Sequence, residues 1–358
     1  MAASVADTSM ASYSVGWRKW TAFASLVGIP CVPPQVDPGI MLGEVKVSSM
    51  IALTFAFCQY HFKELKLSPA TICGYLSGVS FNLKLRMFDV DFITSPAISM
   101  VRAGMKRVFR QSGTSSKGRL PFVLDMILTY KAFVSASPFD LRKFGLFVAM
   151  MLAFSCLLRR SEYIPTKAGH FLRAKDVSFV LADGSVIPSH FFSSSLSHLV
   201  TEIIIFIRSS KCDQEADGFP FSFLRRGASN GLCEALITWA SSVHLCAEDA
   251  FLSTRNAVGK QVWCVNASDL TKAMRITARG CLFSKEQTLR FSPHSLRYGG
   301  ASTLSAAGVD RYQIQLVGRW SSDAYLTYVK ATHSLFARTQ AVLSEPAFLP
   351  ICDVLRLV

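Results

Sequence analysis

Apolar positions recur with a helical period over the first hundred residues. Trp17, Trp20, Phe23 and Leu26 stand three apart within residues 14–26, which predicts an amphipathic helix. A second apolar run covers residues 47–62. Ser68-Pro69 and Ser95-Pro96 predict two more helix starts, with Ser as N-cap and Pro in the first turn. The last of these runs into a basic stretch, Arg102, Lys106, Arg107 and Arg110. Their spacing puts them on roughly one side of a helix. That side is either a solvated face or one that tracks phosphates.

The pattern breaks at residues 111–120, QSGTSSKGRL, which read as a linker. It separates a helical domain, 1–110, from a larger domain, 121–358. Two helices follow, over 120–135 and 138–160. The second holds the longest apolar run, residues 144–158. Fifteen residues fall short of the roughly 20 that span a bilayer, and the run ends at Arg159, Arg160 and Glu162. It therefore predicts a helix buried on all sides. Alternation then replaces the helical period: residues 176–180 and the β-branched run 201–208 read as strands, with a turn over 209–218. Helices return at 231–243 and at 268–278, the latter with Ser268 as N-cap. Shorter ones are expected at 293–307, 310–317, 322–331 and 332–344, with Gly308 and Gly318 as stops.

Charge sharpens this picture. Lys plus Arg number 38 against 24 Asp plus Glu, a net of +14. The excess divides evenly, +7 in residues 1–119 and +7 in the rest. A globular chain this basic meets a polyanion, nucleic acid or an anionic membrane surface. Two positive halves suggest a clamp rather than a basic tail. No membrane span is expected. The start of the chain shows no basic region followed by an apolar core, so no secretory signal is read there. None of the ten Cys are spaced as CxxC, and no His pair stands at metal spacing. Zinc sites and disulfide scaffolds are not expected, and the chain reads as intracellular.

The chemistry concentrates near the C-terminal end. In Ser292-Pro293-His294-Ser295-Leu296-Arg297 a helix starts so that His294 and Arg297 share one face near its positive end. That is a place for an anionic oxygen. Gly299, Gly300 and Ala301 follow, small enough for close packing against a neighbour. Then come Gly318-Arg319-Trp320 and, eight residues on, Tyr328.

This order of motifs resembles the C-terminal signature of the tyrosine recombinases, the phage-integrase family. The upstream parts of that signature have counterparts here. Leu158-Arg159-Arg160-Ser161-Glu162 resembles the family's LRxSE, and Lys211 follows a strand as the family's β-hairpin lysine does. The resemblance covers residues 159–330. It implies a mainly α protein with a small β-sheet, in which a helical DNA-binding domain precedes an α+β catalytic domain. It further implies that Arg159 and Arg297 grip the non-bridging oxygens of a scissile phosphate, as planar guanidinium forks suit. His294 would donate to the same phosphate or handle the nucleophile's proton. Lys211 would protonate the departing 5′ oxygen. Trp320 stands where many members carry His; its indole can donate one hydrogen bond or pack, but it shuttles no proton. Tyr328 would be the nucleophile, forming a 3′-phosphotyrosine, and Glu162 would orient a catalytic arginine. Arg160, Lys175 and Tyr325 remain rivals to Arg159, Lys211 and Tyr328. Eight residues from Trp320 to Tyr328 is one fewer than the family's usual gap.

The resemblance implies no metal, no ATP and no small-molecule substrate. The partner would be double-stranded DNA, bound chiefly through phosphates and hence salt-sensitive, by a homo-oligomer of four protomers on two duplexes. Arg102, Lys106, Arg107 and Arg110 would serve the N-terminal domain's share of that contact. GRW and the Ser-Ser-Lys turn look closest to eukaryotic mobile elements of the Crypton or DIRS kind, which would place the protein in a nucleus. Three rivals remain: a type IB topoisomerase, a silent DNA-binding remnant of a mobile element, and a membrane-surface protein.

Overall fold

The computed structural model describes residues 7–33, 43–112, 118–166, 171–208, 217–225 and 231–327. The chain forms two compact units, Met1–Lys117 and Gly118–Val358. It is mostly helical with one small antiparallel sheet and a two-stranded ribbon. Among the described residues no helix is long and apolar enough to cross a membrane.

The first unit is built from α1 (Asp7–Leu26), α2 (Gly43–Gln59), α3 (Pro69–Leu85), the single turn α4 (Asp91–Thr94) and α5 (Pro96–Gln111). Ser68 and Ser95 cap α3 and α5 by accepting from Thr71 N and Ile98 N, each with Pro following. The core gathers Trp20, Phe23, Phe57, Ile72, Leu76 and Ile98. Of the α1 stripe, Trp20 and Phe23 are buried, whereas Leu26 is 67% exposed. A three-residue step falls short of a full turn, so three such steps walk off the buried face. On α5, Lys106, Arg107 and Arg110 are exposed, opposite the buried Ile98 and Met105. Arg102 is half-buried and its Nε donates to Cys73 Sγ at 3.2 Å.

In the second unit an extended strap, residues 118–123, leads into α6 (Leu124–Ser135) and α7 (Leu141–Ser155). The apolar helix is buried all round, from Gly145 to Phe154. It does not reach 160, however. It stops at Ser155, and Leu157 takes a left-handed conformation with φ of 48°. The one-turn α8 (Arg160–Tyr163) begins after that break.

Strands β1 (Val177–Leu181), β2 (Val186–Pro188), β3 (Val200–Ile207) and β4 (Phe219–Leu224) form a sheet in the order β2-β1-β3-β4, all antiparallel. Along β3, Val200, Ile203, Ile205 and Ile207 point inward. Ile207 pairs with Phe219, so the connection carrying Lys211 joins two hydrogen-bonded strands. Lys211 itself lies outside the described residues.

Next come α9 (Gly231–Ser242), the ribbon β5 (Ser253–Arg255) and β6 (Gln261–Cys264), and α10 (Ala267–Gly280). The α10 cap is Asn266, which accepts from Asp269 N, and not Ser268. The chain continues through α11 (Lys285–Thr288), α12 (His294–Ala306) and α13 (Arg311–Gly318) to a 3-10 turn, Asp323–Thr327. Gly308 ends α12 at φ of 81°, as a C′ glycine does. At the end of α13 the left-handed residue is Arg319, at φ of 54°, rather than Gly318.

Two neighbouring glycines seat α12. A Cβ on Gly299 would lie 2.0 Å from Phe122 O of the strap, and one on Gly300 2.3 Å from Phe154 O of α7. The strap and the end of α7 thus press backbone to backbone on the helix that carries His294 and Arg297.

Candidate active site

Two helix ends build this site. The carbonyl ends of α7 and α13 are the negative poles of those helices and favour cations. Arg297, 1% exposed, spans both: Nη1 donates to Leu157 O and Nη2 to Gly318 O at 2.6 Å. The left-handed turn at Leu157 exposes one acceptor, and the turn at Arg319 exposes the other. Trp320 closes the face, its ring centroid 4.0 Å from the guanidinium carbon. A ring face answers a desolvated guanidinium electrostatically. Gly318 is small for this reason: a Cβ there would lie 1.6 Å from the Trp320 ring.

Arg159 stands ahead of α8 with extended backbone. Its Nη1 pairs with Glu162 Oε1 at 3.1 Å and its Nη2 donates to Arg319 O at 3.4 Å. Glu162, 2% exposed in its side chain, also accepts from Arg159 N at 2.8 Å. The same carboxylate binds Arg319 Nη2 at 2.7 Å. Arg319 Nη1 in turn donates to Cys156 O and Val317 O. Its Nε has no hydrogen-bond partner among the described residues, and Phe219 and Phe221 of β4 flank the group. Glu162 therefore holds two arginines, Arg159 and Arg319. Arg319 is the residue that motif reading passed over. The signal was there, since it lies inside GRW, yet its partner lies 157 residues away.

His294 opens α12 and is half-buried. Burial, together with the positive charges of Arg119, Arg297 and Arg159, pushes its pKa from 6.5 down to about 4. The imidazole is accordingly neutral at pH 7. The structure thus brings His294, Arg159 and Arg297 into one cationic neighbourhood, with Trp320 packed on Arg297. Arg160 is exposed on α8. Lys175 is ion-paired with Glu248, which Arg173 also holds at 2.5 Å. Tyr325 is 2% exposed, receives a hydrogen bond from Arg311 Nε at 3.0 Å and packs against Trp320. Tyr328 lies outside the described residues, as do the last two predicted helices beyond Thr327.

No protein-family model matches the chain, and no curated protein matches it. Among solved structures, the XerH site-specific recombinase bound to palindromic difH substrate, a post-cleavage complex, superposes with a TM-score of 0.55. It is 14% identical over 93% of this chain and 78% of that one. The fold is that of the tyrosine recombinases. The Tn1549 transposon integrase in complex with circular intermediate DNA gives a TM-score of 0.46 at 12% identity, covering 92% of this chain and 99% of that one. A lambda integrase dimer bound to a COC' core site gives 0.41 at 13%, covering 87% and 76%.

Within this tyrosine-recombinase fold the state of His294 has a measurable consequence. Its folded pKa lies below the unfolded value, so between pH 6.5 and about 4 the unfolded chain binds a proton that the folded chain refuses. Stability then falls as pH drops through that window. His294→Asn is expected to shrink the difference between urea midpoints at pH 7 and pH 5. An unchanged difference would mean that His294 does not titrate this way.

Proposed function

We propose that this protein is a site-specific DNA recombinase or integrase that breaks and rejoins duplex DNA through a 3′-phosphotyrosine intermediate. The observation that supports this most is the gathering of Arg159 with His294 and Arg297, from two stretches of sequence more than 130 residues apart, in a fold shared with XerH. Arg159 and Arg297 hold the non-bridging oxygens of the scissile phosphate and stabilise the charge that builds on them. The Tyr328 oxygen attacks phosphorus and the bond to the 5′ oxygen breaks. Lys211 gives the leaving oxygen its proton. His294, neutral at pH 7, takes the phenol's proton or donates to the phosphate. Attack by the 5′ hydroxyl of another strand reverses the step and frees Tyr328. One phosphoester replaces another throughout, so the reaction needs neither ATP nor a metal ion.

Exchange between two duplexes calls for four protomers and passes through a Holliday junction. Lys106, Arg107 and Arg110 on the exposed side of α5, with Arg102 beside them, add phosphate contacts from the first unit. Gly318-Arg319-Trp320 and the turn carrying Lys211 favour a mobile element of the Crypton or DIRS kind as the source.

The test is covalent capture. On duplexes made from the DNA flanking the gene, nicked so that the 5′ hydroxyl diffuses away, the protein is expected to become linked to a 3′ end. Mapping the junction gives the site. Absence of a linked species across the whole flank would overturn the proposal, and relaxation of a plasmid lacking any such site would make the enzyme a topoisomerase instead.

A further inference from the structure

The strap that enters the second unit carries a cation that no motif assigns. Residues 118–123 are fixed on the start of α12 and the residues leading into it by four features. Gly118 O accepts from Arg290 Nε at 2.7 Å, and Phe122 N donates to Ser295 O at 2.9 Å. Phe122 O sits where only a glycine at 299 leaves room. The buried Phe122 ring packs edge-on against Phe291 at 5.7 Å between centroids. Arg119 rides on this pinned segment. It is exposed, and among the described residues it makes no hydrogen bond or ion pair. Just ahead of α12, the Ser292 hydroxyl is buried and has no hydrogen-bond partner among the described residues.

We infer that Arg119 is a further phosphate-binding residue of this site, contacting the DNA backbone at the rim next to the phosphate that Arg159 and Arg297 hold. The inference rests on the recombinase reading and extends it. Three considerations carry it. A guanidinium on a pinned segment is presented with little conformational freedom to lose. Among the described residues no carboxylate pairs with it, whereas Arg159 and Arg319 share Glu162. And Arg119 ranks ahead of Arg297 and Arg159 among the charges that hold His294 neutral, so its charge reaches the reacting neighbourhood. The last residues before α6 thus serve both as connector and as part of the phosphate cradle.

The experiment compares the full chain with Arg119→Gln and Arg119→Lys. Binding to a short duplex of arbitrary sequence is measured over a salt series. Arg119→Gln is expected to lower the slope of log affinity against log salt by about 0.9, the share of one phosphate. Arg119→Lys is expected to restore it. Without DNA, NMR titration of His294 is expected to show a higher midpoint in Arg119→Gln than in the parent. If the parent binds DNA with a steep slope and Arg119→Gln binds with the same slope, the inference fails alone. If the parent shows no salt-dependent binding, the recombinase reading fails and takes the inference with it. An unmoved His294 midpoint refutes the placement of Arg119 whatever the DNA result. Since the side chain makes no hydrogen bond or ion pair among the described residues, the variant is expected to fold as the parent does.

Discussion

Tyr328→Phe is expected to bind DNA as the parent does and to form no covalent adduct on a nicked duplex. The change removes a single oxygen. If that oxygen is the nucleophile, no other group replaces it, and adduct yield falls by a factor of more than about 1,000. The neighbouring candidate provides the contrast. The Tyr325 phenol is buried, receives Arg311 Nε at 3.0 Å and stands with Leu157, Ala301, Ile314 and Trp320 in a small apolar cluster. An oxygen held that way anchors the turn that precedes Tyr328. Tyr325→Phe should therefore keep adduct formation and lose about 1 kcal/mol of stability, the worth of one hydrogen bond. The assignment is reversed if Tyr328→Phe is trapped at normal yield and Tyr325→Phe is not.

The second large effect is on folding. Glu162→Ala is expected to destabilise the second unit by about 3–5 kcal/mol, the usual result of removing one partner from a buried ion pair. The carboxylate is 2% exposed and answers Arg159 at 3.1 Å and Arg319 at 2.7 Å. Without it two guanidiniums remain beside Arg297 with no counter-charge. Glu162→Gln keeps the shape and an acceptor oxygen, and should lose less. Urea midpoints at pH 7 report the loss. A stability for Glu162→Ala within about 0.5 kcal/mol of the parent, typical of exposed surface positions, would show that the two arginines do not depend on this carboxylate.

Much of this arrangement was legible along the chain because it is encoded locally. Ser68 and Ser95 cap helices with Pro behind them, a signal complete within four residues. The alternation in 201–208 becomes β3, since a half-buried strand needs only a period of two. His294 and Arg297 share a face because three residues make most of a helical turn. What escaped was encoded at a distance. The apolar run continues to Leu158 and gives no sign that the helix stops at Ser155; the break is a left-handed Leu157 whose carbonyl is taken up by Arg297, 140 residues on. A leucine carries no turn signal, unlike the glycine at 308. Arg319 was given no role inside GRW because its partner sits 157 residues earlier. The short strands β2, β5 and β6 are three or four residues long, too brief for any period to register.

The binding of Arg297 to the ends of two helices sets a condition on when the centre exists. Leu157 O and Gly318 O come from remote parts of the polypeptide, and Arg159 and Arg319 draw on the same two corners. If α13 undocks, all three guanidiniums lose acceptors together. A half-assembled chain, whether nascent or clipped, thus carries no partial centre, and the cluster of arginines arrives only with the finished fold.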